Sequence, residues 1–258
     1  MKLSCVLTAT NENPLYCDFI PIFINTWKKL CPKILIKIIF IGKELPEKFK
    51  EYWDYLYLFT PLPWVSTAFV SQYIRMLYPA LIDVDGGVLI TDMDMLPMNS
   101  DYYYKNIEDV EDDKFFCYRQ VLHDEGCNMI PICYNVALPS TWSKIFKIKS
   151  IEDIERRIEE ISNKIEYEDR HAGRGWCTDQ EHLFLSLMKE NNNQDGNLFV
   201  YKNDNETGYK RLDRDNHLSK ILPKQIVDDI KNHKYSDYHL NRPMSKFSEL
   251  NNRIFSLL

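Results

Sequence analysis

Glycine is scarce in this sequence, with eight among 258 residues. Neither glycine nor lysine lies between Thr8 and Pro14, the segment that follows the first apolar run. Dinucleotide-binding enzymes and P-loop proteins carry a glycine-rich loop after their first strand, because the backbone must approach phosphate closely there. The sequence therefore excludes the usual signatures of both classes.

Long apolar stretches are also missing. The longest lies near Ile34–Ile41 and is far shorter than the roughly 20 residues of a membrane span. The apolar run at Leu3–Leu7 is too short for the apolar region of a signal peptide. We therefore expect a soluble, cytoplasmic protein with no membrane segment of its own.

The seven cysteines include no CxxC pair, which leaves a zinc ribbon or a thioredoxin-like motif without support. Their odd number and apolar neighbours favour reduced, mostly buried thiols. The formal net charge is -6, and this modest acidity argues against nonspecific binding to nucleic acid. A nucleotide ligand stays open, because a metal ion can supply positive charge locally. Hydrophobic residues make up 45% of the chain, enough for a sizeable core.

Strand and helix patterns alternate through the first half of the chain. Leu3–Leu7 and Ile34–Ile41 have the composition of strands, Tyr16–Leu30 and Phe69–Leu81 have helical spacing, and Gly86–Thr91 is a turn followed by a buried strand. This alternation predicts an α/β fold with a mainly parallel sheet flanked by helices. Further strands are predicted at Tyr55–Phe59, Phe115–Cys117 and Cys133–Ala137.

Two polar segments follow predicted strands. Thr8–Thr10 and Asp92–Asp94 each come directly after an apolar run. Ligands of parallel sheets bind beyond the carboxyl ends of the strands. We therefore expect both segments to lie at a ligand site.

The second half begins with an amphipathic helix. Ser150 and Asp153 form a capping-box pattern, and isoleucines then recur at helical spacing through Ile165. We interpret it as a helix packed on its own domain, with a homodimer or acceptor-side surface as the alternative. A later helical pattern, Leu218–Ile230, is broken by Pro223.

The most informative segment is the apolar strand that runs into Asp92 and Asp94. We expect the chain to turn there, so that both carboxylates can approach one ion, and Pro97 agrees with a strand that ends nearby. Carboxylate oxygens suit Mg²⁺ or Mn²⁺, which take substrate phosphates as further ligands. Two bare carboxylates at a sheet end would be costly without a cation or hydrogen bonds.

The segments Ser71–Pro79 and Asp83–Asp94 resemble the GT-A glycosyltransferases, in which a helix carrying an arginine precedes a DxD strand. The nearest relatives that this pattern suggests are the glycogenin-like and bacterial lipopolysaccharide galactosyltransferase-like enzymes. The resemblance implies a Rossmann-like nucleotide-binding fold. It also implies that Asp92 and Asp94 bind Mn²⁺ and hold the nucleotide sugar, and that Arg75 contacts the donor phosphates or sugar.

Two shorter segments are similar to the same families. Thr178–Leu183 resembles their Asp-Gln-Asp motif, which places Asp179 and Gln180 at the transferred sugar; a capping box of Thr178 with Glu181 is the structural alternative. Tyr238–Pro243 resembles their C-terminal motif, which implies that His239 is a metal ligand. Arg242 stands where the family has a lysine on the diphosphate, and the family's intervening glycine is absent. A mixed carboxylate and imidazole ligand set favours Mn²⁺ over Mg²⁺.

The remaining site residues follow from the same similarity. Thr8, Ala9 and Asn11 are expected at the nucleobase and ribose, with Tyr16 near the base. Asn135 is expected either to bond the sugar or to be a buried turn amide. Aromatic faces pack on sugar rings, and among Trp64, Trp142 and Trp176 we expect this role of Trp176.

Together, the motifs and the family resemblance predict a Mn²⁺-dependent hexosyltransferase of the EC 2.4 class. The resemblance alone implies that the donor is a UDP-sugar and that the anomeric configuration is retained. The acceptor is a hydroxyl of a glycan, protein or small molecule. We expect one GT-A domain, with a nucleotide-sugar half at residues 1–100 and an acceptor-side half at 101–258 that carries a helical insertion at 150–170. The alternatives are a nucleotidyltransferase, which the segment Thr8–Pro14 disfavours, and a catalytically inactive protein that binds nucleotide sugars or glycans.

Overall fold

A computed structural model of the protein describes residues 1–119, 122–124, 127–170, 172–194, 196–202, 204–214 and 221–258. Its strands in chain order are β1 (Leu3–Asn11), β2 (Leu35–Ile41), β3 (Leu56–Phe59), β4 (Gly87–Ile90), β5 (Met95–Pro97), β6 (Phe115–Cys117), β7 (Leu122–Asp124), β8 (Cys127–Met129), β9 (Asn135–Ala137), β10 (Phe199–Tyr201), β11 (Lys210–Leu212) and β12 (Tyr235–His239). Its α-helices are α1 (Pro14–Cys17), α2 (Ile20–Leu30), α3 (Thr67–Leu77), α4 (Ser100–Lys105), α5 (Pro139–Phe146), α6 (Ile151–Ser162), α7 (Thr178–Asn192), α8 (Asp204–Thr207), α9 (Lys224–Lys231) and α10 (Met244–Leu257), with 3-10 segments at Glu47–Tyr55 and Tyr78–Leu81.

The main sheet has seven strands in the order β10-β6-β9-β4-β1-β2-β3. The strands β3, β2, β1 and β4 run parallel to one another, β9 is antiparallel to both β4 and β6, and β10 is parallel to β6. The predicted α/β class with a mixed, mainly parallel sheet is therefore confirmed.

Apolar layers cover both faces of this sheet. Val6 of β1 belongs to the layer that contains Trp27 of α2, whereas Leu7 belongs to the layer that contains Tyr73 of α3. All of these side chains are buried. Helices on both faces explain why β2 and the first half of β1 are nearly continuous apolar runs instead of alternating with polar residues.

The first strand extends further than the sequence predicts. The predicted strand stops at Leu7, but parallel pairing with β2 continues to the register of Asn11 opposite Ile41. The backbone ladder can continue through polar residues because it does not depend on the identity of their side chains. The polar segment at Thr8–Thr10 is therefore the end of the strand and not a loop after it.

Prolines account for two differences in the helices. The predicted helix Tyr16–Leu30 is split into α1 and α2, and Pro21 lies in the first turn of α2. A proline is tolerated at that position because its missing N–H would be unpaired there anyway. The predicted helix Phe69–Leu81 ends as an α-helix at Leu77, and a 3-10 turn containing Pro79 follows.

The amphipathic helix of the second half is α6. The Ser150 side chain accepts a hydrogen bond from Asp153 N at 3.3 Å, which confirms the predicted cap. Ile154, Ile158 and Ile161 are buried in the same apolar layer as α3. The interpretation of α6 as a helix packed on its own domain is therefore confirmed.

The second small sheet has the order β11-β12-β5, with β12 antiparallel to β5. In this register His239 pairs with Met95. The C-terminal segment is thereby fixed beside the chain that has just left β4. This pairing joins two segments that are far apart in sequence.

Other predictions concern thiols, the last helical pattern and membrane segments. Helix α9 begins after Pro223, while Leu218 lies outside the described residues. Within the part of the chain that the structure describes, no helix has the length and apolar character that crossing a bilayer requires. The prediction of reduced, mostly buried thiols agrees with the described cysteines. Five free thiols are buried and that of Cys177 is half-buried; the buried ones are Cys5, Cys17, Cys31, Cys117 and Cys133. The side chain of Cys127 lies outside the described residues.

Candidate active site

A cavity of about 460 Å³ lies at the carboxyl ends of β1 and β4. Its lining comes from the end of β1, helix α3, the chain after β4, the start of α7, and the segments around β11 and β12. Parallel α/β sheets bind their ligands at this edge. The cavity is therefore the candidate ligand site.

The DxD segment lies in a tight turn between β4 and β5. Met95 N donates to Asp92 O at 3.2 Å, and both Asp92 and Asp94 line the cavity. Before β4, Gly86 has a φ of 140°, and a Cβ there would be 2.3 Å from Ser4 Oγ. Glycine is required at that position because other residues would be strained and would clash. The strand and its two carboxylates are thereby placed against β1.

Asp94 is surrounded by three basic side chains. Its Oδ2 lies 3.0 Å from Arg214 Nη1, 3.4 Å from His239 Nε2 and 3.5 Å from Arg242 Nη1. Burial acts to raise the pKa of this carboxyl, but the hydrogen bond and charge of His239 and the two guanidinium groups outweigh it and hold the pKa well below its usual range. Asp94 is therefore a buried, ionised carboxylate.

His239 reaches Asp94 through backbone pairing. Leu240 N donates to Asp94 O at 2.8 Å, directly after the pairing of His239 with Met95. The other ring nitrogen, Nδ1, lies 3.5 Å from Oδ1 of Asp213. An imidazole with a carboxylate behind one nitrogen and a potential ligand beside the other has the arrangement common to metal-binding histidines.

Arg75 of α3 joins two of the predicted site aspartates. It is 8% exposed, its Nη1 is hydrogen-bonded to Asp92, and its Nη2 lies 3.1 Å from Oδ2 of Asp179. A buried guanidinium is well suited to hold two carboxylates at once, since its donors are fixed in a planar fork. The three side chains form one continuous ionic group on the wall of the cavity.

Asp179 and Gln180 lie in the first turn of α7 and line the cavity. The alternative prediction of a capping box is wrong: α7 begins after Cys177, and the Thr178 hydroxyl donates to Gly175 O at 2.8 Å. Burial raises the pKa of Asp179 to about 6, against the opposing charge of Arg75 and with the added repulsion of Asp92. Asp179 is thus a carboxylate held in an unfavourable environment, a feature that is frequent in functional sites.

Arg242 connects the C-terminal segment to the first helices. Its Nη1 donates to the hydroxyl of Tyr16, and its guanidinium lies 5.1 Å from the centre of the Tyr16 ring. Both side chains line the cavity. Tyr16 therefore orients Arg242 as well as contributing a wall next to β1.

The polar end of β1 reaches the cavity from Ala9 onwards. Ala9 and Asn11 line it together with Thr10, and Asn11 Nδ2 donates to Thr67 Oγ1 at 3.0 Å. Thr8 is buried inside the strand, away from the lining, and its hydroxyl has no hydrogen-bond partner among the described residues. The structure thus brings two of the three predicted residues to the site, because the strand is longer than the sequence indicates.

Asn135 lies at the start of β9, fully buried behind the cavity wall. Its Nδ2 donates to the carbonyls of Pro131 at 2.7 Å and Ile132 at 2.9 Å. Pro131 and Ile132 line the cavity, while Asn135 does not belong to the lining. The amide therefore shapes the wall, as the structural alternative for this residue predicts.

The three tryptophans have different environments. Trp176 is half-buried and lines the cavity. Trp142 is buried in the core, where its indole N–H donates to Val88 O at 3.2 Å. Trp64 is fully exposed and lies outside the cavity lining. Only Trp176 has the position that the sequence-based hypothesis requires.

Arg211 and Arg214 lie near Asp237 and Asp94 but belong to none of the predicted motifs. Arg211 on β11 donates through Nε to Asp237 Oδ2 at 2.8 Å, and Arg214 contacts Asp94 as described above. Both line the cavity. They reach it because β11 pairs with β12, and a pairing between short strands leaves no local signal in the sequence. The spacing of Arg211 and Arg214 alone did not distinguish them from surface charges.

The predicted metal ligands are partly brought together. Asp94 and His239 are adjacent, whereas the carboxylate of Asp92 is turned to Arg75. Among the described residues, no three side chains of the metal-binding types form a group that could hold a metal ion. All three predicted ligands nevertheless line the same cavity.

No protein-family model matches this chain, and no curated protein sequence matches it. Solved structures do match over nearly the whole chain. A galactosyltransferase LgtC in complex with donor and acceptor sugar analogs is 12% identical, with a TM-score of 0.51 over 98% of this chain and 96% of that one. An active-site mutant of LgtC matches at 12% identity and a TM-score of 0.51, over 98% of this chain and 94% of that one.

The glycosyltransferase GlyE of Streptococcus pneumoniae TIGR4 is 14% identical, with a TM-score of 0.50 over 99% of this chain and 63% of that one. All three neighbours are glycosyltransferases. They confirm the predicted resemblance at the level of the fold. The chain has the α/β fold of GT-A glycosyltransferases.

Proposed function

We propose that this protein is a glycosyltransferase that transfers a hexose from a nucleoside diphosphate sugar, with UDP as the expected nucleotide, to a hydroxyl acceptor. One observation carries the proposal. Asp92 and Asp94, Asp179 and Gln180, and His239 come from three distant segments and line a single cavity at the carboxyl end of a parallel sheet. The shared fold of known glycosyltransferases supports it.

The residues present fit a divalent cation in their chemistry. Asp94 offers an ionised, buried carboxylate, and the adjacent His239 is oriented from behind by Asp213. Asp92 lines the same cavity. We propose that these three residues hold Mn²⁺, with Mg²⁺ as the alternative. When bound, such a cation neutralises the charge that develops on a departing diphosphate.

Basic side chains would stabilise the same leaving group. Arg242 is held by Tyr16 near Asp94, and guanidinium groups bind phosphate oxygens bidentately. A preorganised donor of this kind contributes about 2.7–4 kcal/mol to the stability of a transition state. The proposal therefore assigns to Arg242 the diphosphate role that the family resemblance implies for this position.

On the sugar side, the proposal assigns Asp179 and Gln180 to the transferred sugar near its anomeric carbon. Arg75 holds Asp179 and Asp92 in place, so the donor phosphates and the sugar are positioned by one ionic group. Trp176 supplies an aromatic face at the same cavity. The similarity to families with an Asp-Gln-Asp motif favours retention of the anomeric configuration.

Both halves of the chain contribute to these tasks. Ala9, Asn11, Arg75 and the DxD turn belong to residues 1–100 and would bind the nucleotide part of the donor. Trp176 and the start of α7 belong to residues 101–258 and would face the transferred sugar and the acceptor, while His239 and Arg242 of the same half would reach the metal and the diphosphate. The helical segment at 150–170 packs behind α3, and we propose that the chain acts as one domain.

A screen of nucleotide sugars tests the proposal. The chain is incubated with UDP-, GDP- and other nucleotide hexoses in Mn²⁺, and released nucleotide is measured with and without simple sugar acceptors. We expect release that Asp94→Asn abolishes, while Asp54→Asn, an exposed carboxylate outside the cavity, leaves it unchanged. Pyrophosphate release from a nucleoside triphosphate would instead identify a nucleotidyltransferase, and nucleotide-sugar binding without turnover would identify a binding protein.

A further inference from the structure

The charge of the cavity is opposite to that of the chain. The chain has a formal net charge of -6, yet the cavity is lined by five arginines and four aspartates. An excess of arginine over aspartate in a concave site of an acidic protein favours an anionic ligand. The lining arginines are Arg75, Arg170, Arg211, Arg214 and Arg242.

The arginines differ in how far their charge is already compensated. Arg75 is shared by two carboxylates, Asp92 and Asp179. Arg211 is bound to Asp237, a fully buried carboxylate that also accepts from Arg119. These contacts fix Arg75 and Arg211 as parts of the wall.

Arg214 and Arg242 are arranged differently, because both approach the same oxygen. Arg214 Nη1 lies 3.0 Å and Arg242 Nη1 lies 3.5 Å from Oδ2 of Asp94. Arg214 Nη1 also lies 3.4 Å from the carbonyl of Leu240. A guanidinium has five N–H donors, and one carboxylate compensates a single positive charge. Within the ranges that the structure describes, Asp94 is the carboxylate that both arginines contact, so the pair carries one more positive charge than Asp94 supplies.

Both side chains are mostly but not fully buried, at 18% exposure for Arg214 and 14% for Arg242. A charge that is partly desolvated and incompletely paired gains more from a ligand than an exposed one does. The two guanidinium groups come from separate segments and converge on one point. A ligand with two adjacent anionic groups matches that arrangement.

We propose that Arg214, together with Arg242, forms a seat for a diphosphate group, and that this seat binds a diphosphate in the absence of a divalent cation. The choice of a diphosphate rests on the proposed function. The anion-binding itself rests on the charges and distances alone. Asp94 holds the two guanidinium groups in position for the incoming anion.

A structural role for Arg214 is the competing explanation. In that case its contact with Asp94 stabilises the turn and the variant loses stability without losing affinity for anions. Affinity for a small diphosphate in the absence of metal separates the two, because it does not depend on the sugar, the base or catalysis. Inorganic pyrophosphate is therefore the probe.

The experiment is a calorimetric titration of the full chain with pyrophosphate in EDTA, for the unchanged protein and for Arg214→Gln, Arg214→Lys and Arg253→Gln. Arg253 is exposed on α10 and outside the cavity, so its variant controls for net charge. We expect the unchanged protein and Arg253→Gln to bind equally and Arg214→Gln to bind about tenfold more weakly. Absence of binding in the unchanged protein, or equal binding by Arg214→Gln, would overturn the proposal.

Thermal unfolding of each variant accompanies the titration. If Arg214→Gln does not fold, the Arg214→Lys variant is used instead, because lysine keeps the charge but loses the planar fork. Weaker pyrophosphate binding by Arg214→Lys than by the unchanged protein supports the proposal. Equal binding overturns it. Failure of the proposed function has a different signature. In that case pyrophosphate binding depends on Arg214, but no sugar is transferred from any nucleotide sugar. If sugar is transferred but the metal-free binding of pyrophosphate does not depend on Arg214, only the proposed diphosphate seat is rejected.

Discussion

The imidazole Nε2 of His239 lies 3.4 Å from Oδ2 of Asp94. The contact depends on the antiparallel pairing of β12 with β5, which sets His239 opposite Met95. The hydrogen bond from Leu240 N to Asp94 O continues that pairing past the end of the strands. Backbone pairing thus brings the two segments together, so we expect a substitution of the His239 side chain to leave the arrangement of the chain intact.

The first prediction follows from this independence. His239→Asn is expected to weaken Mn²⁺ binding about tenfold or more, as loss of a ligand or of its support does in other metal sites. The variant should still fold, since the pairing of β12 with β5 is made by the backbone. Titration with Mn²⁺ followed by calorimetry measures the affinity without any need for activity.

His233→Asn is the matched control. His233 is exposed, outside the cavity, and has a φ of 53°, a conformation that asparagine tolerates. We expect its Mn²⁺ affinity to equal that of the unchanged protein. An identical Mn²⁺ titration for His239→Asn would remove His239 from the proposed ligand set.

The second prediction concerns the buried group around Arg75. Arg75→Met leaves Asp179, at 3% exposure, without its cationic partner. Removal of one partner from a buried ion pair costs about 3–5 kcal/mol, so we expect a lower free energy of unfolding by that amount. Urea unfolding at neutral pH measures it, with Arg253→Met as the exposed control.

Addition of Asp179→Asn to the Arg75→Met variant should restore part of this loss. The second substitution removes the uncompensated charge while it keeps the shape of the side chain. If Arg75→Met unfolds at the same urea concentration as the unchanged protein, the ionic group does not stabilise the fold.

The third prediction is a dependence of stability on pH. Burial raises the pKa of Asp179 from its usual 3.8 to about 6 in the folded protein. The folded state therefore binds this proton more tightly than the unfolded state, and its contribution to stability is largest below the unfolded pKa. That contribution is lost as the pH rises from about 4 to about 6, by about 3 kcal/mol if the whole shift is expressed.

Asp179→Asn isolates the effect, because asparagine does not titrate. We expect the difference in free energy of unfolding between the unchanged protein and this variant to fall across that interval and to stay level above it. Urea unfolding at several pH values provides the measurement. A difference that is flat, or that rises with pH, would show that the pKa of Asp179 is not raised.

The sequence was sufficient for the elements whose signal is local. The β-branched run of β2 and the isoleucine spacing of α6 each depend on a short stretch of chain, and both were predicted correctly. The end of β1 was not, because the ladder to Ile41 continues through polar residues whose side chains favour turns. Local propensity was overridden there by pairing with a neighbouring strand.

The site shows the same division. Asp92 and Asp94 could be selected because an apolar strand precedes them, and Asp179 and His239 because of motif resemblance. Arg214 carries no such signal, and it reaches Asp94 only through the pairing of β11 with β12. The capping-box pattern at Thr178 was misleading, since the hydroxyl there donates to Gly175 O instead of accepting from the helix. Contacts that depend on pairing between distant strands are not visible in a single sequence.

The last prediction tests the helix behind the site. Ser150 accepts a hydrogen bond from Asp153 N, and the side chain of Asp153 accepts from Lys149 N at 3.0 Å. Ser150→Ala leaves a backbone donor of α6 without its partner, and loss of such a cap costs about 1 kcal/mol. Ser162→Ala, at the other end of the same helix, is the control and should change the free energy of unfolding by less than about 0.5 kcal/mol. Because α6 packs on α3, which carries Arg75, a larger loss that also weakens pyrophosphate binding would show that this helix supports the cavity wall as well as its own fold.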